Sequence, residues 1–171
     1  MRFGQAIVML SAAGCLKSKP PPAKPPPPPK VILAILQAES DTFPGVAQAI
    51  NDATLGVKLA GVDETVHARV SIEVVQLQVE CVDPTPVCLK QAGSSLSADR
   101  MLFARIEAGT PAKPKPKPRR RPRAAPVKVS VTLFDVDAGR DLAMAEQQFE
   151  TADAAAEGAR ALVDQAIKVN P

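Results

Sequence analysis

Proline fixes φ, lacks an amide donor and is excluded from the interior of regular elements, so a segment crowded with proline cannot be part of a packed core. Fourteen of the 18 prolines fall in two short stretches, eight within residues 20–29 and six within 111–126. What remains, residues 31–109 and 127–171, is about 124 positions, the size of one ordinary domain. Charge divides along the same lines. The chain holds 21 Lys and Arg against 18 Asp and Glu, a formal +3, yet all 18 acids lie in the domain together with only nine bases. The domain is therefore about −9, and the other 12 bases sit outside it. That partition excludes a uniformly basic protein, three cysteines exclude a disulfide-rich miniprotein, and no apolar stretch is long enough for a multi-span membrane protein.

The first 15 residues carry the most specific signal. Arg2 provides a positive start, Ala6-Ile7-Val8-Met9-Leu10-Ser11-Ala12-Ala13 is a short apolar run, and Gly14-Cys15 closes it. As a helix that run spans about 12 Å, well short of the ~30 Å hydrocarbon core, so it reads as a processed leader and not as a spanning helix. Ala12-Ala13-Gly14-Cys15 resembles the lipobox of bacterial lipoproteins. That resemblance implies a signal peptide over 1–14, cleavage before Cys15, and lipidation of Cys15 with two or three acyl chains, enough for durable anchoring. By resemblance to the sorting rule of enteric lipoproteins, Leu16 after the cysteine implies the outer membrane, with the anchor facing the periplasm.

Residues 15–30 then read as a tether. Its proline run favours polyproline II at about 3.1 Å per residue, so some fifteen residues reach roughly 45 Å and hold the domain off the membrane.

From Val31 the texture becomes globular. Val31-Ile32-Leu33-Ala34-Ile35-Leu36 is the unbroken apolar run of a strand buried on both faces. Residues 43–59 follow with Val46, Ala49, Ile50, Ala53, Leu55 and Val57 near helical spacing and Pro44 suited to the first turn. Residues 62–80 are ambiguous. Val66, Ala68, Val70, Ile72 and Val74 alternate as in a strand, while Val70, Val74, Leu77 and Cys81 share a helical stripe that Ser71 would cap. The β-branched enrichment favours strand. A short helix is expected over 86–96, strands over 100–106 and 127–134, a turn at 135–140 into a further strand around 141–150, and a helix over 152–168 capped by Thr151 or Asp153. The expected fold is α+β: a single small domain with about five strands in a mixed or antiparallel sheet and about three helices on one face.

Cys81 and Cys88 bracket Val-Asp-Pro-Thr-Pro-Val, a run of turn formers that brings their ends together. In an exported chain this pattern predicts a disulfide that contributes about 2–3 kcal/mol in the chain-entropy model. A metal site would need more ligands, and the chain has one histidine, His67, and no Cys-x-x-Cys. His67 is expected to be exposed. No cofactor is implied.

Residues 110–126 hold seven bases, Lys113, Lys115, Lys117, Arg119, Arg120, Arg121 and Arg123, and no acid. They separate two strands that would otherwise pair as a hairpin, whose loops normally run 2–5 residues, so the segment reads as an inserted, disordered, solvated basic arm. Its charges suit an anionic envelope polymer or lipid head group, or an acidic face of a partner or of this domain itself; a tolerated insertion without a role is the bland reading. Nucleic acid is not expected, because a lipoprotein outside the cytoplasm meets little of it and the basic segment has no aromatic residue with which to stack bases. No small-molecule substrate is identified.

Catalytic patterns are absent from the sequence. Gly93-Ser94-Ser95-Leu96-Ser97 lacks the second glycine of a nucleophile elbow, and there is no metalloprotease or phosphate-loop motif. Asp135, Asp137, Asp141 and Glu146 read as the acidic tip of a tight hairpin, since Arg140 stands where a calcium loop needs glycine. An enzyme is not expected. The alternative is an envelope glycan-processing enzyme using paired carboxylates.

The apolar first strand, the Cys-bracketed loop, Ala98-Asp99-Arg100-Met101-Leu102 and Val131-Thr132-Leu133-Phe134-Asp135-Val136-Asp137-Ala138-Gly139 are similar to the small periplasmic α+β domains of the Tol-system β-propeller protein and of curli-secretion-type lipoproteins. They also resemble small lipoproteins of gliding, high-GC Gram-negative bacteria. The resemblance spans residues 31–168 and implies a lipid-anchored binding or assembly subunit of a cell-envelope complex, for example in motility, secretion or envelope maintenance.

Overall fold

The apolar run at the start of the domain becomes the middle of the sheet. In a computed structural model, which describes residues 29–81, 83–110 and 125–168, strand β1 (Ile32–Leu36) pairs in parallel with β2 (Glu64–Ala68) on one side and with β3 (Arg100–Ala108) on the other. β3 then pairs antiparallel with β4 (Val127–Asp135), and β4 with β5 (Arg140–Phe149), giving a five-stranded mixed sheet in the order β2-β1-β3-β4-β5. The domain is the single small α+β unit that the sequence pattern predicts.

Four helices cover this sheet, on both faces and not on one. Helix α1 (Pro44–Thr54), with Pro44 in its first turn, joins β1 to β2, and α4 (Ala152–Ile167) follows β5 behind its cap Thr151, whose hydroxyl accepts from Ala154 N–H. Both bury their apolar stripes, among them Val46, Ile50, Ala159, Leu162 and Val163, against Leu33, Ile35, Val129, Val131 and Leu133. On the opposite face, α2 (Ile72–Gln78) and α3 (Pro86–Ser95) pack Ile72, Val75, Leu89 and Ala92 against Ala34, Leu36, Met101, Phe103 and Phe134. The expectation of about three helices on one face fails because residues 62–80 divide. Alternation holds only as far as Ala68, and Ser71, whose hydroxyl accepts from Val74 N–H, then starts a helix. Its buried side is Ile72, Val75 and Gln76 and not the stripe through Val74 and Leu77, the latter 75% exposed.

Two aspartates secure the entry to β1. Val31 N–H donates to Asp63 Oδ2 at 2.8 Å and Ile32 N–H to Asp99 Oδ2 at 2.7 Å. Asp99 also donates its own N–H to Ile32 O and accepts at its carbonyl from Val136 N–H, both at 2.9 Å, so β1, β3 and the β4–β5 turn meet at one residue. The hairpin tip is tight as expected: Asp135 Oδ1 accepts from Ala138 N–H at 2.8 Å, and Gly139 takes φ +65°.

Helix α3 approaches that turn so closely that Gly93 has no room for a side chain, because an added Cβ would lie inside the contact distance of both Val136 methyls. Gly93→Ala therefore sets a helix-propensity gain of about 1 kcal/mol against an overpacking cost of about 1–3 kcal/mol. We expect a lower thermal midpoint for Gly93→Ala and none of that loss for Gly45→Ala, whose Cβ would meet nothing within 4 Å. Differential scanning calorimetry of the two variants checks it.

Candidate functional site

Of the residues that the sequence singles out for function, Cys15 and the seven bases from Lys113 to Arg123 lie outside the described residues. The structure does place the ends between which the basic segment is inserted. The β3–β4 ladder runs without interruption to the pair Ala108 and Val127, and beyond it Gly109 N–H donates to Pro126 O at 2.7 Å. Thr110 O accepts from Gln148 Nε2 at 3.0 Å. The segment thus leaves and re-enters the domain through a closed neck, and the sheet is complete without it.

Cys81 and Cys88 are joined by a disulfide with Cα atoms 5.8 Å apart. The bond links the end of α2 to the first turn of α3, where Thr85 caps by accepting from Cys88 N–H. Cys88 is buried, and Gln76 Nε2 donates to its Sγ at 3.4 Å. His67 lies exposed on the edge strand β2. Among the described residues no group of three or more His, Cys, Asp or Glu is placed to hold a metal ion, and no helix is long and apolar enough to cross a membrane.

One concavity on the sheet is a feature that sequence reasoning missed. Helices α2 and α3 are short, of seven and ten residues, and they cover only the β1 side of their face. Beyond Phe103, the alternation of β3, β4 and β5 sets out two polar rows, Arg105–Ser130–Glu146 and Glu107–Lys128–Gln148. Between these rows and the start of α3, at Pro84 and Leu89, lies a cleft of about 260 Å³. The signal was present in the sequence as charges two residues apart along each strand, but it means nothing until the register aligns them.

Arg105 organises this cleft. Its Nη2 donates to Gln76 Oε1 at 3.1 Å, its guanidinium carbon lies 5.9 Å from the Phe103 ring centroid, and its Nε is 4.0 Å from Glu73 Oε1. That last separation is too long for a hydrogen bond, and the buried Nε has no hydrogen-bond partner. Lys128 Nζ sits 3.0 Å from Glu146 Oε2. The hydrogen bond from Lys128 to Glu146 and the charge of that carboxylate, with a smaller push from Glu107, raise the Lys128 pKa above its usual 10.5.

A raised lysine pKa stabilises the fold fully below the unfolded value of about 10.5 and loses that contribution as the pH climbs through the higher folded value. Glu146→Ala removes both leading causes, so the Lys128 midpoint is expected to fall back toward 10.5. An NMR titration of the Lys128 side chain measures the shift, and an unchanged midpoint contradicts the assignment.

Comparisons with known proteins add little beyond this geometry. No family model matches the chain, and no curated protein matches it. Solved structures with a similar arrangement include the PelC dodecamer from Paraburkholderia phytofirmans, at 9% identity and TM-score 0.38, covering 81% of this chain and 87% of that one. Lipoprotein GNA1162 from Neisseria meningitidis is similar at 17% identity and TM-score 0.38, over 80% of this chain and 97% of that one. A hypothetical protein, CT253, from Chlamydia trachomatis shows 16% identity and TM-score 0.34 over 70% of this chain and 72% of its own. Likenesses of this strength assign no function.

Proposed function

We propose that this protein is a lipid-anchored periplasmic subunit that binds or assembles within a cell-envelope complex, held at the outer membrane through Cys15 and using Lys113 to Arg123 for electrostatic contact with an anionic envelope surface. The observation that carries the reading is the order of segments along the chain: leader, lipobox cysteine, proline spacer, and an acidic domain from whose closed β3–β4 neck a stretch of seven bases is put forward. Each part fits the next. A domain of about −9 is itself repelled by an anionic membrane, so a spacer and a separate cationic segment let the same chain stand off that surface and still touch it. Such a subunit would serve machinery of the envelope, with motility, secretion and envelope maintenance as the settings its sequence resembles.

Two experiments test the parts separately. Full-length Cys15→Ala is expected to move from the membrane fraction to the soluble fraction of the cell, and continued membrane fractionation counts against lipidation at that residue. Replacing the seven bases by serine leaves the ladder and its Gly109–Pro126 closure untouched, so the thermal midpoint should hold. Cosedimentation with anionic vesicles should meanwhile weaken at least tenfold, given about 1 kcal/mol for each base near a charged surface, and the difference should shrink as salt rises. Binding indifferent to salt, or an unfolded variant, rejects the role given to the segment.

A further inference from the structure

The outer edge of the sheet has no place in that reading. β5 stands last in the order β2-β1-β3-β4-β5 and pairs with β4 alone. On the other side of β4, the bond from Gly109 N–H to Pro126 O continues the β3–β4 register by one rung, and it fixes which way the backbone of β4 faces. Even-numbered residues of β4 turn their N–H and C=O to β3. Val127, Val129, Val131 and Leu133 therefore turn theirs to β5, where they stand opposite Phe149, Gln147, Ala145 and Ala143. The residues between these, Met144, Glu146 and Gln148, are left with N–H and C=O groups aimed out of the sheet. Ala145 agrees with this assignment, since a residue only 1% exposed has no backbone at an open edge. Among the described residues, no main-chain hydrogen bond reaches β5 from its outer side.

This edge is long and unguarded. From Ala143 to Phe149 the register is regular over seven rungs, about 23 Å, and β5 holds none of the proline or lysine with which exposed edges are commonly protected. β2, at the opposite edge, has only five residues. The side chains of Met144, Glu146 and Gln148 lie on the face that α2 and α3 leave bare, opposite Thr132, Ser130 and Lys128, and Met144 is 59% exposed there. Both charges of β5 on this face, Asp141 and Glu146, are negative. A second copy of β5 would therefore answer carboxylates with carboxylates, whereas a basic strand answers them with cations. Glu146 keeps access for one: Lys128 reaches it from β4, and its side chain is still nearly half exposed. We propose that β5 accepts an extended strand of a partner protein as a sixth, antiparallel strand of the sheet, bonded main chain to main chain at Met144, Glu146 and Gln148. In that pairing the residues that exchange hydrogen bonds also share a face. The partner accordingly sets an apolar side chain against Met144 and, two residues earlier in its own chain, a Lys or Arg against Glu146.

The test uses the full chain carrying Cys15→Ser, with an acetylated and amidated Thr-Thr-Thr-Lys-Thr-Val-Thr peptide as probe. In the free protein the amides of Met144, Glu146 and Gln148 are expected to exchange with solvent faster than those of Ala145 and Gln147. The peptide should bind saturably, one to one, and shift the first three amide cross-peaks most. N-methylation of its lysine and valine, whose N–H groups face β5, should abolish binding, while N-methylation of the threonine between them, whose N–H faces solvent, should not. Glu146→Gln should weaken binding about twofold to fivefold, as expected for one exposed ion pair. Met144→Lys, which places a guarding charge on the edge, should weaken it by about tenfold or more at an unchanged melting temperature. Absence of binding, slow exchange at the three outer amides of the free protein, equal binding of the two N-methylated peptides, or preference for a peptide with Glu in place of Lys overturns the proposal. Outer amides that become protected as the protein concentration rises identify a second copy as the occupant, and outer amides that exchange faster once the seven bases are replaced by serine identify this chain's own segment. Either result rejects a partner's strand. Neither the lipid anchor nor the vesicle contact enters these readouts, so they fail or succeed independently of the proposed function.

Discussion

Everything in this fold follows from one strand that must be dry on both sides. β1 sends Leu33 and Ile35 into one core and Ala34 and Leu36 into the other, and all four are at most 3% exposed. Burying a side chain such as Leu or Ile is worth about 1.5–3 kcal/mol, so leaving either face open would forfeit a few kcal/mol from this strand's two residues on that face alone. The two crossovers that flank β1 must therefore pass on opposite sides of the sheet. α1 goes one way, to be joined by α4, and the α2–α3 pair goes the other. What this arrangement leaves over is the far half of the second face, where β3, β4 and β5 extend past the reach of two short helices. The cleft is the remainder of a packing problem solved around β1.

How much of this was legible in the residues depends on whether local physics decides the outcome. β1 was legible because an unbroken apolar run has few other uses, and β4 because Val127, Val129, Val131 and Leu133 alternate with polar partners all the way to the turn. The helices α1, α3 and α4 declare themselves through Pro44, Pro86 and Thr151 at their starts. Residues 62–80 were not legible, because β2 is an edge strand of five mostly exposed residues and α2 has only two turns, so each repeats its own pattern only about twice. The buried side of α2 also went astray: Gln76 is polar yet buried, since Arg105 and Cys88 take up its amide, while Leu77 is apolar yet exposed. Both inversions are settled by neighbours about 10 to 30 residues distant, which no local pattern reports. For Cys15 and the bases of 111–124, lying outside the described residues, the sequence remains the whole account.

The charge layout has a comparable logic. Seven bases interleaved with prolines could not pair as part of a ladder strand. In the chain they fall beyond the Ala108–Val127 rung, the last of the β3–β4 ladder. The neck itself is narrow: an added Cβ on Gly109 would meet Gln148 and the Pro126 carbonyl carbon at 3.2 Å, so a small residue keeps the two exits side by side.

The pinning of Val31 and Ile32 by Asp63 and Asp99 bears on mechanics. A load applied through the residues before Pro29, and opposed anywhere else in the domain, arrives at the end of the central strand and acts along its length. Its hydrogen bonds to β2 and to β3 then lie across the pull and share it, and β1 cannot be unzipped one rung at a time as an edge strand can. The first bonds to feel the force are the two accepted by carboxylates, the charge-assisted kind. A domain loaded through this end resists being drawn apart there, because the strand that takes the load is bonded on both edges.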